Sequence, residues 1–164
     1  AMDMASMQSS ASTEVPRTCR LQGLGLIAPS PATREPMPES KKDKLEATHP
    51  SVTAAQEMID ESAVIPLSER RRLLAVQTNL MTESTAWRWW LRKGMDHSIA
   101  TAASTIDVPV AILASEDDPV IPIANIRRDV VNRVPRASLT VVSSVGHLMP
   151  MEDERLVADW IVGL

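Results

Sequence analysis

The stretch that most constrains the fold lies near the end of the chain. There Leu139-Thr140-Val141-Val142 runs into Ser143-Ser144-Val145-Gly146-His147-Leu148-Met149-Pro150-Met151-Glu152. A short apolar run followed by a Gly-containing segment reads as a strand ending in a sharp turn that exposes His147. From Asp153 to Leu164, the residues Leu156, Val157, Trp160 and Ile161 predict a closing helix that buries all four against a sheet. A histidine at the carboxyl end of a strand sits where open α/β sheets place their ligands and chemistry. On its own, such a histidine serves the structure of a turn as readily as acid–base work.

A second stretch has the same design. Val108-Pro109-Val110-Ala111-Ile112-Leu113-Ala114 is an apolar run that ends in Ser115-Glu116-Asp117-Asp118-Pro119-Val120-Ile121-Pro122, a loop rich in acids. Between the two, Ile126, Val130, Val131 and Val134 mark one face of a helix from about Ile123 to Val134, stopped by Pro135-Arg136. Strand, helix and strand in that order imply parallel neighbours, with both loops at the same end of the sheet. Acid loop before base turn is also the order of a hydrolase triad whose nucleophile comes earlier in the chain.

On these residues, most specifically Ala114–Pro122 and Gly146–Glu152, the sequence resembles the α/β-hydrolase superfamily from about Leu21 to the C-terminus. The resemblance implies an α/β fold: a partial parallel α/β-hydrolase sheet with a helical lid insertion. It assigns Asp118 as the acid that orients the base and His147 as the base. Asp117 is a competing acid, and Asp118 is favoured because Pro119-Val120 follows it as in the family pattern. Glu152, just past the turn, is expected to cap the last helix near its N-terminus.

The start of the chain, Ala1-Met2-Asp3-Met4-Ala5-Ser6, reads in two ways. It suits a tail, where Ala, Met and Ser are common. It also fits small-x-nucleophile-x-small-small, the pattern of a strained nucleophile elbow. In that reading Asp3 is the nucleophile and the Met4 backbone N–H is an oxyanion donor. The flanks are Ala where the family usually has Gly, and Asp stands where it usually has Ser. Asp nucleophiles occur in branches resembling haloalkane dehalogenases and epoxide hydrolases. The latter use lid tyrosines, and this chain has none; Met4 stands where the former usually carry Trp. An Asp nucleophile, a decayed serine site and a tail all stay open. The resemblance also puts several strands before an elbow, so the expectation is the later half of a hydrolase: a fragment, a truncated product, or a chain completed by a partner. Leu21–Ala28 would then have an unpaired edge open to self-association.

Three segments follow from this reading: 1–36 with the elbow helix and first core strand, 37–105 as a helical lid, and 106–164 as the C-terminal core. Leu21–Ala28 reads as a buried strand, and Pro29, Pro31, Pro36 and Pro38 forbid regular structure after it. In the lid, one helix opens at Pro38–Lys42 and ends at His49-Pro50, and a second starts with Ser51 as N-cap. A third begins at Ser68, with Leu73, Val76, Leu80 and Met81 on its apolar side and Arg70–Arg72 as a solvated face. A fourth carries Trp87, Trp89 and Trp90, which either seal the lid to the core or line a substrate pocket, and Gly94 stops it. Met58, Met81 and Met95 fit the same apolar lid surface.

Composition narrows the partners. A net charge of −4 leaves no basic excess to neutralise phosphates, so nucleic acid is not expected. No apolar run has the length of a membrane span. The single Cys19 excludes an internal disulfide framework and fits a cytoplasmic setting. His49 and His97 have no partner at metal-ligand spacing and read as surface residues; no metal and no cofactor is expected. The function expected is hydrolysis of small, ester-like apolar substrates through a nucleophile, acid and histidine. The alternatives are an Asp-nucleophile, dehalogenase-like hydrolase, or a non-catalytic remnant that binds a small ligand or a protein.

Overall fold

Val110–Ser115 forms β2, and its residues alternate between two buried faces, as a strand covered on both sides must. Val110, Ile112 and Ala114 point to one side, where Ile121, Ile126, Val130 and Val134 pack on them. Leu113 points to the other, against Val145, Met149 and Val157. The structure, a computed structural model, describes residues 21–35 and 37–164.

β2 is the middle strand of three, between β1 (Leu24–Ile27) and β3 (Ala137–Val142), and both pairings are parallel. Leu24 lies opposite Val110, and the β2–β3 register runs from Val110 opposite Ala137 to Ser115 opposite Val142. The acid loop and the base turn therefore leave neighbouring strands at the same level. β1 is shorter than the expected 21–28, and Ala28 ends it at a φ of 43°.

The β1–β2 crossover is helical: α1 (Glu39–Thr48), α2 (Val52–Ser62), α3 (Glu69–Leu80), α4 (Ser84–Trp89) and the short α5 (Ala100–Ala103). Ser51 caps α2 as expected, its Oγ accepting from the Ala54 N–H at 3.4 Å. Ala55 and Ile59 of α2 pack against Ala75 and Val76 of α3. The apolar side expected for α3 needs correcting: Val76 is buried, but Leu73 and Met81 are exposed. Among the described residues nothing covers Leu73, and α2 meets α3 through Ala75 and Val76. The arginines are not a plain solvated face either. Arg72 forms a two-pronged pair with Asp60, and Arg71 reaches Glu154.

α4 continues into a π-helical turn, Trp90–Gly94, that ends where Gly94 was expected to stop it. A Cβ on Gly94 would lie 2.4 Å from Trp90 Cε3, so a larger residue there would have to push that ring aside. The helix expected over 123–134 is likewise split, into α6 (Ile123–Ile126) and a π-helical turn, Arg127–Val131. The chain closes with α7 (Met149–Glu152) and α8 (Glu154–Val162). Val157 of α8 is buried and Leu156 and Trp160 are half-buried, but Ile161 is 52% exposed, a correction to the four-residue face. A helix this short offers the sheet a stripe too narrow for a fourth contact.

Candidate active site

The Asp118 carboxylate sits in the loop after β2 with its two oxygens doing different work. Oδ1 accepts from the Val120 and Ile121 backbone N–H groups at 2.7 and 2.9 Å, a turn closed by the side chain that begins it. Oδ2 is left to His147, whose Nδ1 lies 2.9 Å away. A carboxylate only accepts, so Nδ1 carries the proton, and in the neutral ring the lone pair is then on Nε2. The Asp118 side chain is 3% exposed and that of His147 26%, so the acid is sealed while the base reaches solvent. The pair is therefore partly buried rather than a solvated surface ion pair.

The competing acid has another task. Asp117 Oδ2 accepts from the Ser144 N–H at 2.6 Å, and Ser144 is the residue of the base turn in the left-handed region, at a φ of 64°. Asp117 thus holds the turn's one left-handed residue while Asp118 holds the imidazole. Ser115, at the end of β2, adds a third link. Its Oγ donates to the Val145 carbonyl at 2.5 Å and accepts from the Asp117 N–H at 3.1 Å. Acid loop and base turn are joined by three side chains, each from the β2 end.

Gly146 does not adopt a left-handed φ, so the sharp turn does not need glycine for its backbone angles. It needs glycine for space. A Cβ there would meet Val64 N at 2.7 Å, and Ser62 O and Glu152 Oε1 each at 2.9 Å. The helical crossover presses on the turn at this point, and the His147 N–H donates to Ser62 O at 2.9 Å.

Solved structures of low sequence identity share this architecture. The esterase EaEST from Exiguobacterium antarcticum superposes with a TM-score of 0.77 at 13% identity, over 87% of this chain and 56% of its own. A thermophilic esterase from Thermogutta terrifontis gives 0.65 at 20%, over 88% and 55%. A bromoperoxidase from Bacillus anthracis gives 0.75 at 9%, over 88% and 58%.

The chain has a partial α/β-hydrolase fold.

It spans a little over half the length of those three α/β-hydrolase structures. No protein-family model matches the sequence, and no curated protein matches it. Of the residues the sequence singled out on the α/β-hydrolase pattern, Asp118 and His147 come together. Asp3 and Met4 lie outside the described residues. Trp87 is held away from solvent: its Nε1–H donates to Leu45 O at 3.2 Å and its ring lies over His49, centroids 5.2 Å apart. Trp89 and Trp90 stay exposed on the surface of the helical segment. His49 is therefore not the surface residue expected; it is half-buried between Trp87 and the Thr82 carbonyl, 2.8 Å from its Nε2.

Glu152 is the residue that sequence reasoning placed wrongly. The cap of α8 is Asp153, which accepts from the Leu156 N–H. Glu152 is 7% exposed and takes four backbone N–H groups instead. Val64, Ile65 and Gly146 donate to Oε2, each at 2.8 Å, and Leu148 donates to Oε1 at 3.0 Å. Partners 87 and 88 residues away leave no mark in a local pattern.

Proposed function

We propose that this chain carries the acid and the base of a hydrolase acting on small, ester-like apolar substrates. The observation that supports the reading best is the Asp118–His147 pair at 2.9 Å, with the other carboxylate oxygen already committed to two backbone amides. In this reading His147 Nε2 takes a proton from the attacking water as its oxygen bonds to the substrate carbon. The imidazolium that results is stabilised by Asp118 and returns the proton to the leaving oxygen. If Asp3 is the nucleophile, the substrate is instead an alkyl halide or similar: the Asp3 carboxylate attacks the carbon as the halide leaves, forming an alkyl ester. His147 then activates the water that cleaves that ester, with the Met4 N–H as oxyanion donor. The helices from 37 to 105 are assigned as a lid, and Trp89 and Trp90 as its substrate-facing apolar surface, with Trp87 bracing them.

The test is hydrolysis of a short chromogenic ester by the chain and by His147→Ala, side by side. Turnover by the chain that falls to background in the variant is the result expected. Equal rates in the two would overturn the reading and leave ligand binding as the role of the fold. Asp3→Ser then separates the two nucleophile readings: an Asp-nucleophile enzyme loses turnover, and a decayed serine site gains it.

A further inference from the structure

The turn that carries His147 is not completed by the sheet that delivers it. Its backbone is bonded to the lid at three points: the His147 N–H on Ser62 O, and the Val64 and Ile65 N–H groups through the Glu152 carboxylate. The same carboxylate holds the turn itself, at Gly146 and Leu148. Around this polar knot the apolar contacts have the same partners. Leu148 and Met151 pack into the α2–α3 cluster of Ala55, Ile59, Ala75 and Val76. Arg71 of α3 donates to the Met151 carbonyl at 3.0 Å.

Resting on the reading of His147 as the base, we propose that Glu152 is a positioning residue that fixes the imidazole by locking its turn to the lid. One buried carboxylate satisfies four N–H groups that would otherwise face each other with no acceptor between them. The His147 residue lies between two of those donors in sequence, and its own N–H is taken by the lid. Lid and base thus form one rigid body, and a lid displacement moves the ring relative to Asp118. Neither Asp118 nor Ser115 can substitute, because both act from the β2 side.

Nuclear magnetic resonance on the whole chain tests this without any turnover. In the unmodified protein the amides of Val64, Ile65, Gly146 and Leu148 should exchange with solvent at one common rate, through one shared opening. A tenfold or larger split between the lid pair and the turn pair would overturn the lock. Glu152→Gln keeps the shape but sets an amide NH2 against one of the donors. The His147 Nδ1–H signal, resolved in the unmodified chain by its bond to Asp118, should lose at least four-fifths of its intensity to exchange. The ring signals of His49 and His97 should stay, which reports that the fold is kept. An unchanged His147 signal beside freely exchanging Val64 and Ile65 amides would show Glu152 to be structural filler and sink the proposal. Should Glu152→Gln not fold, Val64→Pro breaks the link from the lid side and is read the same way. Ala63 before it is already extended, as a residue preceding proline must be. If the unmodified chain hydrolyses no ester, the catalytic reading fails while these signals still decide the lock.

Discussion

The two oxygens of Asp118 set a test at the scale of one atom. Asp118→Asn must keep its oxygen toward the Val120 and Ile121 N–H groups, since an NH2 there would meet two donors. The NH2 then faces His147 Nδ1, which must accept, and the ring proton moves to Nε2. On the proposed hydrolase reading the fold survives and the base is lost: kcat should fall by about 10⁴-fold with Tm nearly unchanged, checked by ester kinetics beside thermal melting. Gly146→Ala tests the opposite case, a residue needed for space. Its methyl group would overlap Val64 N and Ser62 O, and we expect a loss of about 2 kcal/mol in denaturant unfolding. At this scale the sequence was legible where chemistry follows the chain. Asp118 and His147 follow two apolar runs, so the strand pattern placed their loops at one end of the sheet. The choice of Asp118 over Asp117 rested on the family resemblance, and the structure brings Asp118 and His147 together at 2.9 Å. Glu152, Gly146 and His49 have roles set by residues tens of positions away, and no local pattern could supply those partners.

Among the elements, β2 carries the most and was the easiest to foresee, because an unbroken run of small and branched apolar residues has few places to go but the centre of a parallel sheet. Ile112 is fully buried on the face shared with α6. Ile112→Ala should cost about 2–5 kcal/mol, read as a lowered urea midpoint at unchanged slope. The longer helices were foreseen in place, α5 and α7 were not, and the faces of α3 and α8 were misjudged while Ile126, Val130 and Val134 lie buried as expected. Two of them pass into π-helical turns, at Trp90–Gly94 and Arg127–Val131, where the period widens beyond 3.6. α3 shows the other source of error. Its sequence offers Leu73 and Met81 as core beside Val76, yet both are exposed, while Ala75 and Val76 make the contact with α2. Close helix packing at that seam selects small side chains over larger ones.

Over the whole molecule, a charged clasp joins the helical crossover to the last helix. Arg71 reaches the Glu154 carboxylate at 2.5 Å, and its hydrogen bond holds that carboxyl below the usual range. A folded carboxyl that stays charged to lower pH than the unfolded one stabilises the fold above about pH 4–5. That contribution is lost as pH falls through the lower, folded value. Arg71→Gln should therefore lower Tm at pH 7, and the gap to the unmodified chain should narrow steadily as pH is lowered below that range. A gap that persists in acid would assign the effect to the Met151 carbonyl contact instead.

The parallel register of β2 and β3 has one more consequence, for how freely such a molecule can change. Acid and base leave adjacent strands at matched levels, so their separation follows from the roughly 4.8 Å spacing of a peptide ladder. Peptide groups are common to every sequence. The sheet's side chains can drift far while that spacing persists, and the helices inserted between β1 and β2 become an exchangeable part. A replacement insert has to present one carbonyl to His147, two amides to Glu152 and an apolar seat for Leu148 and Met151; the face turned away from the turn is free to be rewritten.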